Sequence, residues 1–264
     1  MLLTIDSGNT NIVFAVMSSN NVVGKWRIET NDRRTADEYF VWLSQLAAAK
    51  NIKLQQISGV IIANVRPASG FALERLASEH LGCQPLVVGK NCTAGVDVKL
   101  TRPSQVGADR LVNALAGKTK FGSPAILIDT GTATTFDILD SEGAYVGGVI
   151  APGVHVSAQA LSDAAAQLPL VALDQPTSPI GTDTRSAMQS GLFWGYVAML
   201  DGMIARLKTT MIKDGHSSDL GSITVIGTGG LMKILAPAVA GINEVCLDLT
   251  LIGLSIIFKE SVES

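Results

Sequence analysis

The first thirty residues alternate between short apolar runs and small polar clusters, a pattern typical of β-strands joined by tight turns. Strand-forming residues fill Leu2–Ile5, Asn11–Val16 and Val22–Ile28, and Asn20-Asn21 form a turn signal before the third run. We therefore predict a three-stranded antiparallel meander at the start of the chain.

A helix and a buried strand are expected next. Thr35 is a good N-cap and Glu38 follows three positions later, so a capping box begins a helix that runs to Ala49. Gly59–Val65 is a continuous apolar run, which indicates a strand buried on both faces. Two further helices are predicted from apolar periodicity bounded by Gly or Pro: Phe71–Leu81, which ends at Gly82, and Ser104–Lys118, which begins after Pro103.

The second half of the chain repeats this scheme. Strands are predicted over Ala125–Ile128, Thr134–Leu139, Tyr145–Ile150 and Ile223–Ile226, and helices over His155–Gln167, over Thr184–Met211 and around Leu231 and Leu251. An offset of 123 residues, from Asp6 to Asp129, superposes the two halves. We therefore expect a duplicated β-β-β-α-β-α unit, with one lobe over residues 1–117 and the other over residues 118–264.

Composition excludes several classes of protein. Of the 264 residues 47% are hydrophobic and 16% charged, yet apolar stretches such as Leu251–Phe258 are far shorter than the ~20 residues of a membrane span. The net charge is −3 and no Lys/Arg run occurs, so no nucleic-acid partner is expected. Cys83, Cys92 and Cys246 lack metal-finger spacing, and the first strand begins at Leu2 without a secretory signal, which predicts a cytoplasmic protein.

Two matching turns carry the clearest chemical signal. Residues 5–11 read Ile-Asp-Ser-Gly-Asn-Thr-Asn, and residues 128–134 read Ile-Asp-Thr-Gly-Thr-Ala-Thr. Gly8 and Gly131 let the main chain approach a ligand, and the surrounding amides and hydroxyls suit an anion. Asp6 and Asp129 offer oxygen ligands for a cation. Two such turns facing each other would clamp a polyphosphate and its metal, whereas the ordinary alternative is a pair of solvent-facing hairpins.

Three further segments have both an ordinary and a functional interpretation. In Gly107-Ala108-Asp109-Arg110, an Asp in a first helical turn is favoured by the helix dipole alone, whereas Arg110 is unfavourable there unless it binds an anion. The glycine-rich bend at residues 147–153 is either a strand-to-helix turn or a place where the backbone approaches a substrate. Thr228-Gly229-Gly230 is either a simple strand-to-helix turn or the start of a helix whose N-terminus borders an adenosine.

In order and over the full length, the chain resembles type III pantothenate kinases in five motifs: the two matching turns, Gly107-Ala108-Asp109-Arg110, the bend at residues 147–153, and Gly181-Thr182-Asp183-Thr184 followed by Ser190-Gly191. The duplicated architecture resembles that of actin, sugar kinases and acetate kinase. This resemblance implies an α/β, two-lobed, actin-like fold with mixed central sheets flanked by helices. In that superfamily the nucleotide lies in the cleft between the halves.

The resemblance also implies roles for individual residues. Asp109 is expected to be the general base, and Gly107, Ala108 and Arg110 to line the substrate. The ATP phosphates, with Mg²⁺, are expected at Asp6, Ser7, Gly8, Asn9, Thr10, Asn11 and Thr132. Asp129 is expected to bind a monovalent cation, potassium or ammonium. Thr184 is expected to reach pantothenate from the partner subunit of a homodimer. Leu100 departs from the pattern, because many members of the family place a Tyr there.

The implied activity is ATP-dependent phosphorylation of pantothenate to 4′-phosphopantothenate, the first step of coenzyme A biosynthesis. One alternative is another kinase of the same fold, such as a sugar or acetate kinase, although sugar kinases usually carry inserted substrate regions for which this chain has no room. The second is a nucleotide-binding regulatory protein without kinase activity, against which the acidic balance and the lack of a basic helix argue.

Overall fold

The computed structural model describes residues 1–19, 21–164, 169 and 171–263. Contacts along the backbone divide the chain into two compact units. The first contains Met1–Val96, Arg102–Ala116 and Leu249–Ser264, and the second contains Asp97–Thr101 and Gly117–Asp248.

Each unit contains one five-stranded mixed sheet, and the two sheets share a topology. The strands are β1 (Leu2–Ser7), β2 (Asn11–Ser18), β3 (Asn21–Glu29), β4 (Gly59–Asn64), β5 (Leu86–Val87), β6 (Ala125–Thr130), β7 (Ala133–Leu139), β8 (Tyr145–Pro152), β9 (Thr224–Thr228) and β10 (Glu244–Val245). The first sheet has the order β3-β2-β1-β4-β5 and the second the order β8-β7-β6-β9-β10. The predicted meanders and the duplication are therefore confirmed, while Asn20 of the turn signal lies outside the described residues.

Helices in the described part of the chain are α1 (Ala36–Ala48), α2 (Pro67–Arg75), α3 (Ala108–Phe121), α4 (Val154–Ala164), α5 (Thr184–Lys213), α6 (Met232–Leu235) and α7 (Leu249–Glu263). The predicted capping box is present: the Thr35 hydroxyl accepts the Glu38 N–H, and the Glu38 carboxylate accepts the Thr35 N–H. The predicted end of α4 at Gln167 lies outside the described residues. None of the helices within the described ranges is both long and apolar enough to cross a membrane.

Strand β4 shows why a continuous apolar run marks the centre of the first unit. Val60 and Ile62 pack in the core shared with α1 and α2, whereas Ile61 and Ala63 pack in the core shared with α3 and α7. Successive side chains of a strand point to opposite faces, so a strand covered on both sides must be apolar throughout.

In the second unit, the side chains of Ile126 and Ile128 on β6 lie in one core with residues of α4, α5 and α6. The opposite face of β6 packs against the C-terminal part of α3, where a Cβ on Gly117 would lie 2.3 Å from the Leu127 side chain. Glycine at this position lets the helix approach the sheet closely.

Two helices begin several residues away from their predicted first residues. Helix α2 begins four residues before Phe71, because Pro67 is well suited to a first helical position. A π-helical turn over Leu76–His80 follows it before Gly82, whose φ is +66°. Helix α3 begins at Ala108 rather than Ser104. Pro103–Gln105 forms a separate 3₁₀ turn, and Val106 after it is extended.

The C-terminal helix returns to the first unit. Leu254 and Ile257 of α7 lie in the same core as Ile61 and Val112, and a Cβ on Gly253 would lie 2.3 Å from the Val112 carbonyl oxygen. A division into lobes 1–117 and 118–264 remains a prediction about the duplication. The compact units of the structure are assembled differently, because residues 249–264 join the first of them.

Candidate active site

The first predicted phosphate turn closes between β1 and β2. The Gly8 N–H donates to the Asn11 carbonyl oxygen at 3.0 Å, and a Cβ on Gly8 would lie 3.1 Å from that same oxygen. Asn9 and Thr10 are exposed at the tip of the turn. A tight bend thus presents two polar residues and their amides beside the end of the strand that carries Asp6.

Neighbouring loops hold the carbonyl oxygens of this turn. The Thr30 hydroxyl donates to the Gly8 carbonyl at 2.8 Å, and the Thr30 N–H donates to the Thr10 carbonyl at 2.9 Å. The Arg66 Nη1 group donates to the Asn9 carbonyl between them at 3.4 Å. Three consecutive carbonyls therefore accept hydrogen bonds from outside the turn.

The side chain of Ser7 belongs to the base of the turn. Ser7 is fully buried and its hydroxyl lies 2.9 Å from the Ser69 hydroxyl, at the start of α2. The Asn64 side chain accepts the Arg66 N–H at 2.9 Å, which fixes the chain as it enters that helix. The Ser7 hydroxyl therefore helps to hold the start of α2 against the end of β1.

Asp109 lies at the same edge of the first sheet as this turn. The Val65 N–H, just after β4, donates to the Ser7 carbonyl at 3.1 Å. A Cβ on Gly107 would lie 3.6 Å from the Val65 side chain and 2.6 Å from Asp109 Oδ1. The Gly107–Arg110 segment is thus brought next to the residues that follow β1 and β4.

The carboxyl group of Asp109 is partly buried in the first turn of α3. Burial raises its pKa above the ordinary value, and this effect exceeds the opposing effect of the Arg110 N–H, which donates to Asp109 Oδ1 at 2.8 Å. A carboxylate with a raised pKa accepts a proton more readily, as a general base requires.

The second predicted phosphate turn closes between β6 and β7, where the Gly131 N–H donates to the Ala133 carbonyl at 3.0 Å. The residue that follows β8 supports it: the Gly153 N–H donates to the Thr132 carbonyl at 3.1 Å. A Cβ on Gly153 would lie only 2.3 Å from that oxygen, so this contact requires glycine.

Asp129 lies against the glycine-rich segment that follows β9. It is paired with Thr228 across the parallel β6–β9 ladder, and a Cβ on Gly229 would lie 2.5 Å from Asp129 Oδ1. Gly229 has a φ of +91°, which suits glycine for a second reason. Both glycine-rich bends noticed in the sequence therefore pack on the second turn or its acid.

Helix α5 begins with the Gly181–Thr184 segment. Asp183 is its N-cap and accepts the Ser186 N–H at 3.0 Å, and this hydrogen bond lowers the pKa of the Asp183 carboxyl. Thr184 is exposed at the first helical position. Leu100 is half-buried in the second unit.

The oxygen-rich donor set suits hard cations. In the first unit Asp6 and Asp109 supply carboxylates and Thr10 supplies a hydroxyl, and in the second unit Asp129 supplies a carboxylate and Thr132 a hydroxyl. Within the described residues no group of three or more His, Cys, Asp or Glu side chains could hold a metal ion. A cation at either turn needs additional oxygens from a ligand or water, which is how Mg²⁺ usually binds with a nucleotide.

Sequence reasoning did not identify the residues that support the turns. Thr30, Asp32, Arg66 and Ser69 stand outside every motif, and Tyr196 falls inside the predicted helix Thr184–Met211 without belonging to one. Tyr196 donates to the Pro152 carbonyl at 3.2 Å and pairs with the Thr134 hydroxyl, so α5 is hydrogen-bonded to β7 and β8.

Comparison with known proteins agrees with the motifs at these turns. A protein-family model described as type III pantothenate kinase matches residues 2–206. The chain belongs to this family. The type III pantothenate kinase of Paramagnetospirillum magneticum is 49% identical over 255 residues, covering 96% of this chain and 95% of that protein. That of Caulobacter vibrioides is 44% identical over 263 residues, covering 99% and 98%.

A solved structure supports the predicted fold class. A Sinorhizobium meliloti protein proposed to be a 2-dehydro-3-deoxygalactonokinase aligns with a TM-score of 0.54 at 13% identity, covering 98% of this chain and 96% of that one. At this identity the likeness concerns the fold alone. Together with the two mixed five-stranded sheets flanked by helices, it confirms the two-lobed, actin-like fold.

Proposed function

We propose that this chain transfers the γ-phosphoryl group of ATP to the primary hydroxyl of pantothenate, giving 4′-phosphopantothenate in the first step of coenzyme A biosynthesis. The observation that carries the proposal is the position of Asp109. Its partly buried carboxyl group lies at the sheet edge that also holds the first phosphate turn, in a chain of this kinase family.

Asp109 is the proposed general base. Its carboxylate accepts the proton of the pantothenate hydroxyl as the hydroxyl oxygen forms a bond to the γ-phosphorus and the bond from that phosphorus to the β-γ bridging oxygen breaks. Phosphoryl transfer has a loose transition state, so positioning and charge neutralisation contribute more than proton removal. Gly107, Ala108 and Arg110 line the substrate in this proposal, and the Arg110 guanidinium suits its carboxylate.

The two turns bind the ATP phosphates in this account. The first supplies residues from Asp6 to Asn11, and the second supplies Thr132. Hydroxyl and amide donors aimed at phosphate oxygens stabilise the charge that develops during transfer. Mg²⁺, held by Asp6 directly or through water, neutralises phosphate charge when it is bound.

Two finer parts of the proposal concern the second unit. Asp129 binds the monovalent cation, potassium or ammonium, with the backbone near Gly229 close to its carboxylate. Thr184, exposed at the start of α5, contacts pantothenate in the partner subunit of a homodimer. An exposed position is compatible with a contact supplied to a second chain.

A substrate panel at fixed ATP tests the proposed reaction. We expect ADP to form rapidly with pantothenate and at background rates with hexoses, N-acetylhexosamines or acetate. Faster turnover of a sugar or of acetate would assign the chain to another reaction of the same fold. Nucleotide binding without phosphorylation of any acceptor would instead support a regulatory protein.

A further inference from the structure

Arg66 contacts both an acidic side chain and the first phosphate turn. Its Nε and Nη2 groups donate to the two carboxylate oxygens of Asp32, each at 2.6 Å, while Nη1 donates to the Asn9 carbonyl at 3.4 Å. Asp32 follows β3 and Arg66 follows β4. One guanidinium thus connects three loops of the first unit.

Stability alone does not account for this arrangement. Each side chain of the Asp32–Arg66 pair is 38% exposed, and ion pairs this exposed to solvent contribute little to folding. A pair of the same forked geometry, Arg75 with Glu79, connects two positions on one stretch of helical chain. The Asp32–Arg66 pair differs because its remaining donor reaches a functional turn.

The contact with the Asn9 carbonyl fixes the orientation of a peptide group. A trans peptide is planar and carries its C=O and N–H on opposite sides. Holding the Asn9 carbonyl against Arg66 therefore directs the Thr10 N–H away from Arg66, and Thr30 acts likewise on the peptides before and after it. Arg66 and Thr30 together hold the carbonyls of three successive peptide groups, and successive peptide groups of this kind are what an anion-binding concavity is built from.

We propose that Arg66 and Asp32 are positioning residues for the first phosphate turn. Arg66 holds the Asn9–Thr10 peptide in the orientation that receives a phosphate oxygen, and Asp32 holds Arg66. Neither residue needs to touch the nucleotide. This inference rests on the proposed function only in taking the turn as a nucleotide phosphate site.

Nucleotide binding measured without pantothenate tests the proposal directly. Isothermal titration of the full chain with the Mg²⁺ complex of a non-hydrolysable ATP analogue compares wild type with Arg66→Gln and Asp32→Asn. We expect the dissociation constant to rise about 3- to 10-fold, because binding then has to order the turn. Arg75→Gln and Glu79→Gln, which alter the matched pair, are expected to bind as wild type does. Unchanged affinity in Arg66→Gln and Asp32→Asn would overturn the proposal.

Arg66→Lys separates positioning from simple charge pairing. A lysine ammonium can pair with Asp32 but lacks the planar fork that reaches the carboxylate and the Asn9 carbonyl together. We expect Arg66→Lys to keep the wild-type melting temperature and still bind the analogue several-fold more weakly. Wild-type affinity in this variant would contradict the role given to the fork.

Steady-state kinetics distinguish a positioning role from a purely structural one, because a purely structural role would not raise the KM for ATP selectively. In all three variants the KM for ATP is expected to rise about 3- to 10-fold, with the KM for pantothenate within about 2-fold of wild type. Equal rises in both KM values would contradict the proposal. A wild-type chain that binds the analogue but does not phosphorylate pantothenate would overturn the proposed function while leaving the binding comparison valid.

Discussion

Asp109 combines a cost to folding with an advantage for catalysis. Burial disfavours the ionised carboxylate and raises its pKa. The hydrogen bond from the Arg110 N–H lowers the pKa, but by less than burial raises it. A carboxylate whose pKa is raised by burial is a better proton acceptor than an exposed carboxylate. The same residue should therefore influence both activity and stability, with opposite signs.

Asp109→Asn should lower kcat by at least about 100-fold, because a positioned base typically contributes 10²–10⁴-fold. The affinity for a non-hydrolysable ATP analogue should stay within about 2-fold of wild type, since the base acts on the acceptor. Asp37→Asn, at a matching position in the first turn of α1, is the control and should keep wild-type kcat. A fully active Asp109→Asn enzyme would remove Asp109 from this role.

The same substitution should stabilise the folded chain at neutral pH. The pKa of Asp109 is raised on folding, so between about pH 4 and the folded pKa the native state holds a proton that the unfolded state has lost. Stability of the wild type therefore falls as pH rises through this window, and Asn has no such loss. Melting temperatures from pH 4 to 8 should show a gain for Asp109→Asn that grows with pH. A gain that shrinks with pH would contradict the raised pKa.

At the residue scale, the sequence predicted acids and glycines but not their supports. Asp6, Gly8 and Asp109 stand in recognisable local patterns. Arg66 and Asp32 are 34 residues apart, and Arg66 and Asn9 are 57 apart, so only folding brings them together. A surface Arg and a surface Asp carry no local signal that distinguishes a turn support from a solvated charge.

At the element scale, the second phosphate turn depends on the residue after β8. Gly153→Ala should place a methyl group about 2.3 Å from the Thr132 carbonyl oxygen and 2.6 Å from the Gly131 carbonyl oxygen, and because both are backbone atoms the turn itself has to move. We expect the turn to shift, the KM for ATP to rise about 10-fold or more, and stability to fall by about 1–3 kcal/mol.

Gly195→Ala is the matched control for this prediction. Gly195 lies within α5, where an added Cβ meets nothing within 4 Å, so alanine should keep the KM for ATP and raise stability by up to about 1 kcal/mol. Kinetics and thermal melts of both variants make the comparison. A Gly153→Ala enzyme with wild-type KM for ATP would show that the turn tolerates displacement.

The sequence predicted elements better than their ends. The capping box set the start of α1, and the apolar run of β4 marked a strand covered on both faces. The start of α3 was misplaced because Pro103 is equally suited to a helix and to the 3₁₀ turn that it begins. The extended backbone at Val106 separates the 3₁₀ turn from α3, and the residue types in this segment do not predict it.

For the whole molecule, the repeated turn predicted the duplication, and the identical strand order of the two sheets confirms it. The return of α7 to the first unit was not predicted. Its apolar side chains, such as Leu254 and Ile257, predict packing against a sheet, but their spacing does not predict which of the two sheets α7 packs on.

The proposed homodimer makes a prediction about mixed subunits. If Thr184 acts in the partner's site, Asp109→Asn and Thr184→Val chains are each inactive alone, yet a mixed dimer contains one site with both residues intact. Random reassociation of an equal mixture should restore about one quarter of wild-type activity. Activity that stays at the level of the separate variants, despite mixed dimers detected by mass, would contradict a contribution from the partner.

The most direct test of the central claim is the product formed from ATP and pantothenate. Purified chain, Mg²⁺, potassium and both substrates should yield ADP and 4′-phosphopantothenate in equal amounts by mass spectrometry, and Asp109→Asn should yield at least about 100-fold less. ADP released at the same rate without pantothenate, or no phosphorylated pantothenate at all, would contradict the account.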